Sequence, residues 1–220
     1  MKSRVDAIIQ RDQAEYLDRL GSQSDPLLKD MEAYAAENRV PIADREVALF
    51  LEITARAIRA ERVLEIGMAI GYSVVHLLRG MGERGVVVTI EPSDEMINAA
   101  SGYFERANLF DQVQVKRGKA LDVMPQLDET YDLLYIDAVK EEYAQYLDLG
   151  LPRLRSGGVV VVDNLLWGGR VAQPANSADE SSTIALREFN DYFINHPQLR
   201  SEILSVGDGL GFAAKTGFQN

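Results

Sequence analysis

The chain has 220 residues, of which 46% are hydrophobic and 26% charged, with a formal net charge of −11 and no cysteine. The lack of cysteine excludes disulfides, thiolate metal ligands and cysteine nucleophiles, and two histidines make a histidine-rich metal site or a Ser-His-Asp triad unexpected. The negative charge disfavours nucleic acid as a partner, because phosphate contacts dominate such binding. The sequence shows neither a signal-peptide pattern nor an apolar run near ~20 residues, which predicts a cytoplasmic protein without membrane contact.

Residues 1–60 are predicted to form a helical cap. Asp25 suits the N-cap of a helix and Pro26 its first position, and the apolar residues that follow recur on one face. A second amphipathic helix is predicted after "VPIAD", with Leu49 and Ile53 on its apolar face. The helices of the cap have more apolar surface than is needed to cover one face of the sheet. This excess favours a homodimer.

From residue 62 onwards, short β-branched runs alternate with helical patterns, which predicts a parallel sheet with helices on both faces. The predicted strands are 62–67, 85–91, 113–118, 131–137 and 157–163, and the predicted helices are 72–82, 93–108, 119–127 and 141–154. Two further runs, 202–206 and 210–216, flank the sequence "GDG" and predict an antiparallel hairpin at one edge. Residues 61–220 are therefore predicted to be an α/β core with a mostly parallel, seven-stranded, Rossmann-like sheet, in one domain with the cap.

The turn "LEIGMAIGYS" follows the first strand and opens a helix, a position where ligands bind in such sheets. Gly67 and Gly71 would let a ligand approach the backbone, and the helix start and Ser73 would offer donors to a carboxylate. Glu91 ends the second strand, where ribose hydroxyls are bound in such folds. The G-x-x-x-G pattern differs from the G-x-G-x-x-G of dinucleotide dehydrogenases, so S-adenosylmethionine fits better than a pyrophosphate cofactor.

Oxygen-bearing side chains end two predicted strands that should be neighbours in this topology. Asp137 ends the fourth strand, and Asp163 and Asn164 follow the four valines of the fifth. Three such donors suit Mg²⁺ or another hard divalent cation; as isolated residues they would be helix caps or loop acids. Lys140, three residues after Asp137, would have its pKa lowered by a nearby dication and could then accept a hydroxyl proton. The alternative is a surface lysine paired with Glu141 or Glu142.

Several segments that contain these residues resemble those of a known enzyme family. The segments "VLEIGMAIGYS", "YIDAVKEEYAQYL", "LPRLRSGGVVVVDNLLWGGRV" and "VGDGLGFAAK" resemble metal-dependent class I S-adenosylmethionine O-methyltransferases of the catechol and caffeoyl-coenzyme A type, over residues 40–216. The resemblance implies that magnesium is held by Asp137, Asp163 and Asn164, and that Lys140 is the catalytic base.

The same resemblance implies a binding site for S-adenosylmethionine. Its residues are Ala43, Gly67, Tyr72 and Ser73 towards the methionine end, Glu91 at the ribose, Lys119 and Ala120 at the adenine, and Asp137 as a further cofactor-binding residue. The chain departs from the usual family pattern at Met68, where threonine is common, at Lys119 in the adenine loop, and at Val139, where an acid is common.

The sequence thus predicts an O-methyltransferase that moves a methyl group to a hydroxyl of a small, catechol-like or hydroxylated aromatic acceptor held at the metal. Trp167, Tyr143 and the polar segment 170–182, interpreted as a lid, would border the acceptor. The stretch "MEAYAAENRVPIA" also resembles methyltransferases of 5-hydroxyuridine in tRNA, an alternative that the negative charge disfavours. A non-catalytic cofactor-binding module is a further alternative, and relatives of this kind are commonly homodimers.

Overall fold

The computed structural model describes residues 11–20, 25–176 and 179–217. Its cap consists of α1 (Arg11–Leu20), α2 (Pro26–Asn38) and α3 (Arg45–Ala57). Asp25 accepts hydrogen bonds from the backbone N–H groups of Leu27 and Leu28, at 2.8 and 3.2 Å, so the predicted N-cap is confirmed. The part of the predicted cap in residues 1–10 and 21–24 lies outside the described residues.

The core is a seven-stranded sheet in the order β3-β2-β1-β4-β5-β7-β6, in which β7 is antiparallel to its neighbours β5 and β6 and all other neighbouring pairs are parallel. This confirms the predicted Rossmann-like topology with its C-terminal hairpin. The strands are β1 (Arg62–Ile66), β2 (Val86–Glu91), β3 (Val113–Arg117), β4 (Tyr131–Ile136), β5 (Leu154–Val162), β6 (Leu199–Leu204) and β7 (Leu210–Lys215).

Helices cover both faces of the sheet, as predicted, but two of them are shorter than expected. The helices of the core are α4 (Tyr72–Met81), α5 (Asp94–Ala107), α6 (Ala120–Val123), α7 (Tyr143–Gly150) and α8 (Ser181–Ile194). The helix predicted at 119–127 becomes a 3₁₀ turn before Pro125, and the one predicted at 141–154 does so before Pro152. Proline removes a helical N–H and restricts the residue before it, which ends an α-helix at such places.

The end of the chain also differs in detail from the prediction. Strand β5 begins at Leu154 instead of residue 157, and β6 spans Leu199–Leu204 instead of 202–206. The "GDG" sequence lies inside a connection of five residues, since Leu204 pairs with Leu210 across the hairpin. Helix α8 was not predicted, and its first two residues belong to the segment that the sequence assigned to a lid.

The valines of β5 are buried on both faces of the sheet, as predicted. Val159 and Val161 pack with the cap and α4, whereas Val160 and Val162 pack with α7 and α8. Full burial of a valine side chain contributes roughly 1.5–3 kcal/mol, so the centre of the sheet is firmly anchored. Within the described part of the chain, no helix combines the length and apolarity needed to cross a bilayer.

The sheet places the carboxyl ends of its central strands in one row. Ile66 pairs with Ile90 and Ile136, and Ile136 pairs with Val162. The hydrogen bonding continues one residue further, because the N–H of Asp137 donates to the carbonyl of Ile66 at 2.9 Å and that of Asp163 to Ile136 at 3.0 Å. The backbone ladder therefore fixes the positions of both aspartates.

Candidate active site

Lys140 joins the ends of β4 and β5. Its Nζ donates to Oδ1 of Asp137 at 2.9 Å and to Oδ1 of Asn164 at 2.6 Å. It also donates to the hydroxyl of Tyr143 at 2.6 Å, and Tyr143 in turn donates to the carbonyl of Asp163 at 3.1 Å. The structure therefore brings together Asp137, Asn164 and Lys140, which the sequence placed at one site.

Asp163 is the most deeply buried of the acids in this group, with 2% of its surface exposed. The N–H of Asn164 donates to its Oδ1 at 2.7 Å, and the hydroxyl of Tyr135 lies 3.3 Å from its Oδ2. Burial, and secondly the charge of Asp137, raise the pKa of Asp163 to about 7. A cation at this position would favour the ionised form of the carboxylate.

Two further acids face the same region from outside the row of strand ends. Burial, and then the charges of Glu46, Asp208 and Asp137, raise the pKa of Asp44 above its ordinary value. Asp208, in the connection between β6 and β7, accepts a hydrogen bond from the N–H of Gly168 at 2.7 Å. Sequence reasoning missed both: Asp208 was treated only as part of a turn, and Asp44 stands beside the predicted Ala43.

The donor set at the strand ends fits a hard divalent cation, since it offers two carboxylates and an amide oxygen. Among the described residues, no three His, Cys, Asp or Glu side chains are grouped as ligands for a metal ion. The three oxygen donors at the strand ends are not such a group, because only two come from aspartates and the third is the amide oxygen of Asn164. The ammonium group of Lys140 is paired with the carboxylate of Asp137 in this set.

The glycine turn after β1 is shaped by its contacts with the protein. Gly67 has φ +96°, and a Cβ there would lie 2.0 Å from the carbonyl oxygen of Asp137. Gly71 has φ +80°, and a Cβ there would lie 2.4 Å from the ring of Phe104. Close packing against the protein thus requires both glycines, whereas the sequence analysis attributed them to the approach of a ligand.

Glu91 joins the glycine turn to the start of α5. Its Oε2 accepts a hydrogen bond from the N–H of Ala69 at 3.0 Å, and its Oε1 accepts one from the N–H of Ser93 at 2.9 Å. Both carboxylate oxygens are therefore oriented by backbone groups. This arrangement holds the side chain at the end of β2, where the sequence predicted a ribose ligand.

The side chains of Tyr72 and Ser73 are engaged inside the protein. The hydroxyl of Tyr72 donates to Oε1 of Glu32 at 2.7 Å, and that of Ser73 donates to the buried Glu65. Ala43, in the connection between α2 and α3, is buried in the hydrophobic core. The roles predicted for these three residues at the methionine end of a cofactor stay predictions.

A cavity of about 280 Å³ lies beyond the ends of β1, β2 and β3. It contains three of the predicted cofactor residues, Gly67, Lys119 and Ala120. Its other lining residues are Ile66, Ile90, Pro92, Gly118, Ala138, Val139, Glu142 and Tyr146. Sequence reasoning did not identify Glu142 or Tyr146 as cavity residues, although both follow Asp137 at the start of the next helix.

The other side of Lys140 is bounded by aromatic and loop residues. The ring of Trp167 lies 5.8 Å from Nζ of Lys140, and the guanidinium of Arg170 lies 4.7 Å from that ring. Tyr143 is fully buried and contacts the site through its hydroxyl. Trp167 and Tyr143 are thus beside Lys140, and their predicted role in bordering an acceptor stays a prediction.

The chain belongs to the O-methyltransferase family, whose family model matches residues 19–216. It is 38% identical to a catechol O-methyltransferase of Mycobacterium tuberculosis, over 74% of this chain and 76% of the relative. It is 32% identical to a catechol O-methyltransferase of Niastella koreensis, over 79% and 80% of the two chains. An O-methyltransferase from Bacillus cereus in complex with SAH has a TM-score of 0.82 and 29% identity, with 92% of this chain and 96% of that chain covered. The resemblance inferred from the sequence motifs is confirmed.

Proposed function

We propose that this O-methyltransferase uses S-adenosylmethionine and a divalent metal ion to methylate a hydroxyl of a small, catechol-like aromatic acceptor. The observation that carries the proposal is the convergence of Asp137, Asn164 and Lys140, in which one ammonium group contacts both oxygen donors. Asp163, which precedes Asn164 directly after the end of β5, adds a third donor. The catechol O-methyltransferases among the relatives support the same class of acceptor.

The proposed cofactor would lie across the carboxyl ends of β1, β2 and β4. Glu91, held by the backbone of Ala69 and Ser93, is oriented to bind the ribose hydroxyls. The cavity beside Lys119 and Ala120 is lined mostly by apolar groups, which suits the faces of a purine. The complex of the Bacillus cereus relative with SAH, the demethylated product of this cofactor, supports the proposal.

Asp137, Asp163 and Asn164 would hold the proposed metal ion. A bound divalent cation supplies Lewis-acid chemistry, which lowers the pKa of a hydroxyl placed next to it. The protein residues then orient the acceptor and keep water from the sulfonium. Holding the two reactants in the correct geometry lowers the barrier to methyl transfer. Trp167, beside Lys140, would pack against the aromatic ring of the acceptor.

Lys140, as the neutral amine that a nearby divalent cation would favour, would accept the hydroxyl proton at Nζ before or during methyl transfer. The side chain is held by Tyr143, whose hydroxyl is fixed in turn by the carbonyl of Asp163. Because Tyr143 is buried, its pKa lies well above the ordinary value and its hydroxyl stays protonated. Tyr143 is therefore a positioning residue for Lys140 and does not compete as a base.

Methyl transfer to an acceptor panel tests the proposal. Catechol, a hydroxycinnamate, a flavonoid and undermodified tRNA would each be incubated with S-adenosylmethionine, with magnesium or with a chelator. We expect transfer to a small aromatic acceptor that a chelator abolishes and Mg²⁺ restores. Transfer to tRNA alone would favour the nucleic-acid alternative, full activity in chelator would refute the metal requirement, and no transfer with intact cofactor binding would indicate a binding module.

A further inference from the structure

We propose that Glu142 selects the purine of the cofactor, by accepting a hydrogen bond from the exocyclic amino group of adenine. The inference rests on the proposed function, because it takes the cavity beside Lys119 and Ala120 as the site of the adenosyl group. It concerns a residue that neither the glycine turn nor the metal site includes.

The lining of the cavity sets the chemistry of the ligand. Among the described residues that line it, only Lys119 and Glu142 carry charged side chains. Lys119 is largely exposed, whereas Glu142 is half-buried against the apolar wall made by Ala138 and Val139. A mostly apolar cavity with a carboxylate among its lining residues favours an aromatic base that presents a hydrogen-bond donor to that carboxylate.

The orientation of Glu142 is fixed by the residue one turn later. Glu142 ends the 3₁₀ turn Lys140–Glu142, and the hydroxyl of Tyr146 on α7 donates to its Oε2. Tyr146 is only 2% exposed, and burial together with this hydrogen bond holds its pKa well above the ordinary value. Tyr146 therefore remains a donor, and within the described residues no donor is bonded to Oε1 of Glu142.

The acceptor-only nature of a carboxylate gives this arrangement its selectivity. The amino group of adenine is a donor and would satisfy Oε1. The carbonyl of hypoxanthine, at the same position of the ring, is an acceptor and would face the carboxylate without a proton between them. Two acceptors that face each other without a proton lower the affinity for the inosyl compound, so the base should be discriminated.

The neighbouring acid provides a matched control. Glu141 points away from the cavity, and its Oε1 accepts hydrogen bonds from the hydroxyls of Ser181 and Ser182 at 2.6 and 2.8 Å. Glu141→Gln makes the same chemical change one residue away, outside the proposed base site. Tyr146→Phe removes the group that orients Glu142 and leaves the carboxylate in place.

Calorimetric titration with S-adenosylhomocysteine and S-inosylhomocysteine, without acceptor, tests the inference. We expect wild-type protein and Glu141→Gln to bind the adenosyl compound at least about tenfold more tightly than the inosyl compound. In Glu142→Gln this preference should fall to about threefold or less, mainly because the adenosyl compound binds more weakly. Tyr146→Phe should give an intermediate preference. Circular dichroism would verify that each variant is folded.

The outcomes separate this inference from the proposed function. If wild-type protein binds the adenosyl compound and Glu142→Gln keeps the full preference, the role of Glu142 is wrong and the function stands. If wild-type protein binds neither compound, the proposed cofactor is wrong and the inference falls with it. A loss of preference in Glu141→Gln as large as in Glu142→Gln would also overturn the assignment.

Discussion

Glu65 is a fully buried carboxylate beneath the glycine turn, and it accepts hydrogen bonds from the hydroxyls of Ser73 and Thr89. Burial raises its pKa to about 7, although the two hydroxyls oppose the shift. The charged form is therefore costly in the folded state. Since Glu65 ionises near pH 4.5 in the unfolded chain, its contribution to the free energy of unfolding should decrease as the pH rises from 4.5 to 7 and stay constant above that.

Glu65→Gln should remove this pH dependence while keeping the shape of the side chain. We expect the variant to gain up to about 3 kcal/mol in the free energy of unfolding, relative to wild type, between pH 4.5 and pH 8. Urea unfolding of both proteins across this range measures the difference. Parallel stability curves for the two proteins would contradict the assignment of the raised pKa to Glu65.

At the scale of single residues, the sequence predicted the positions that follow directly from strand order. Asp137 and Asp163 each come one residue after a paired strand position, so topology alone places them in one row. Asp44 and Glu142 could not be assigned in this way. Their positions depend on how the cap and a 3₁₀ turn pack, which no local pattern in the sequence specifies.

Helix α8 holds the loop that follows Trp167. Arg187 donates to the carbonyls of Arg170, Val171 and Gln173 at 2.9–3.0 Å and forms an ion pair with Asp179 at 2.5 Å. One guanidinium therefore binds three backbone carbonyls in the described part of this segment. The lid predicted from the polar composition is, in its described part, a loop fastened to a helix.

Arg187→Gln should release this loop and weaken binding of the acceptor. We expect the KM for catechol to rise several-fold and loop cleavage in limited proteolysis to become faster, with little change in the KM for S-adenosylmethionine, whose proposed site is elsewhere. Arg106→Gln serves as a control, because Arg106 forms an exposed pair with Asp30. An unchanged KM for catechol together with unchanged cleavage would contradict the role of Arg187.

The N-cap of α2 offers a second test at the level of elements. Asp25→Ala removes the acceptor of two backbone N–H groups and the partner of Arg79, at 2.7 Å. We expect a loss of about 1 kcal/mol in the free energy of unfolding, the usual effect of losing a cap. Asp30→Ala, on the same helix, should have a much smaller effect in the same urea titration. Equal losses in the two variants would show that the cap is unimportant.

Helix α8 itself could have been found in the sequence. Its buried residues Thr183, Leu186, Phe189 and Phe193 recur at three- and four-residue spacing, the signal of an amphipathic helix. The polar residues before it and the interpretation of the segment as a lid obscured the pattern. The shortened helices around Pro125 and Pro152 were likewise signalled by proline, which the periodicity alone did not take into account.

At the scale of the whole molecule, several apolar side chains of the cap are exposed. Ile53 on α3 is 66% exposed and Leu49 38%, and Leu17 and Leu20 on α1 are also exposed. Leu49 and Ile53 lie on the predicted apolar face of α3, but in the structure both side chains are exposed on the outside of the cap. We propose that a second copy of the chain covers these side chains in the predicted homodimer.

Light scattering after size exclusion measures the state of assembly directly. We expect twice the monomer mass for wild-type protein and the monomer mass for Ile53→Glu, because a buried charge would destabilise the interface. Phe110→Glu changes an exposed apolar residue outside the cap and should leave the dimer intact. A monomeric wild type, or a dimer that persists in Ile53→Glu, would exclude this surface as the interface.

Binding of Mn²⁺, followed by electron paramagnetic resonance, tests the metal site at the ends of β4 and β5 most directly, because it requires no knowledge of the acceptor. We expect wild-type protein to bind Mn²⁺ at one site, from which Mg²⁺ displaces it. Asp163→Ala should bind Mn²⁺ at least about tenfold more weakly. Asp148→Asn should bind it as wild type does, because the carboxylate of Asp148 contacts Tyr192 on the surface. Folded Asp163→Ala that binds Mn²⁺ as tightly as wild type, or wild-type protein that binds none, would contradict the proposed metal site.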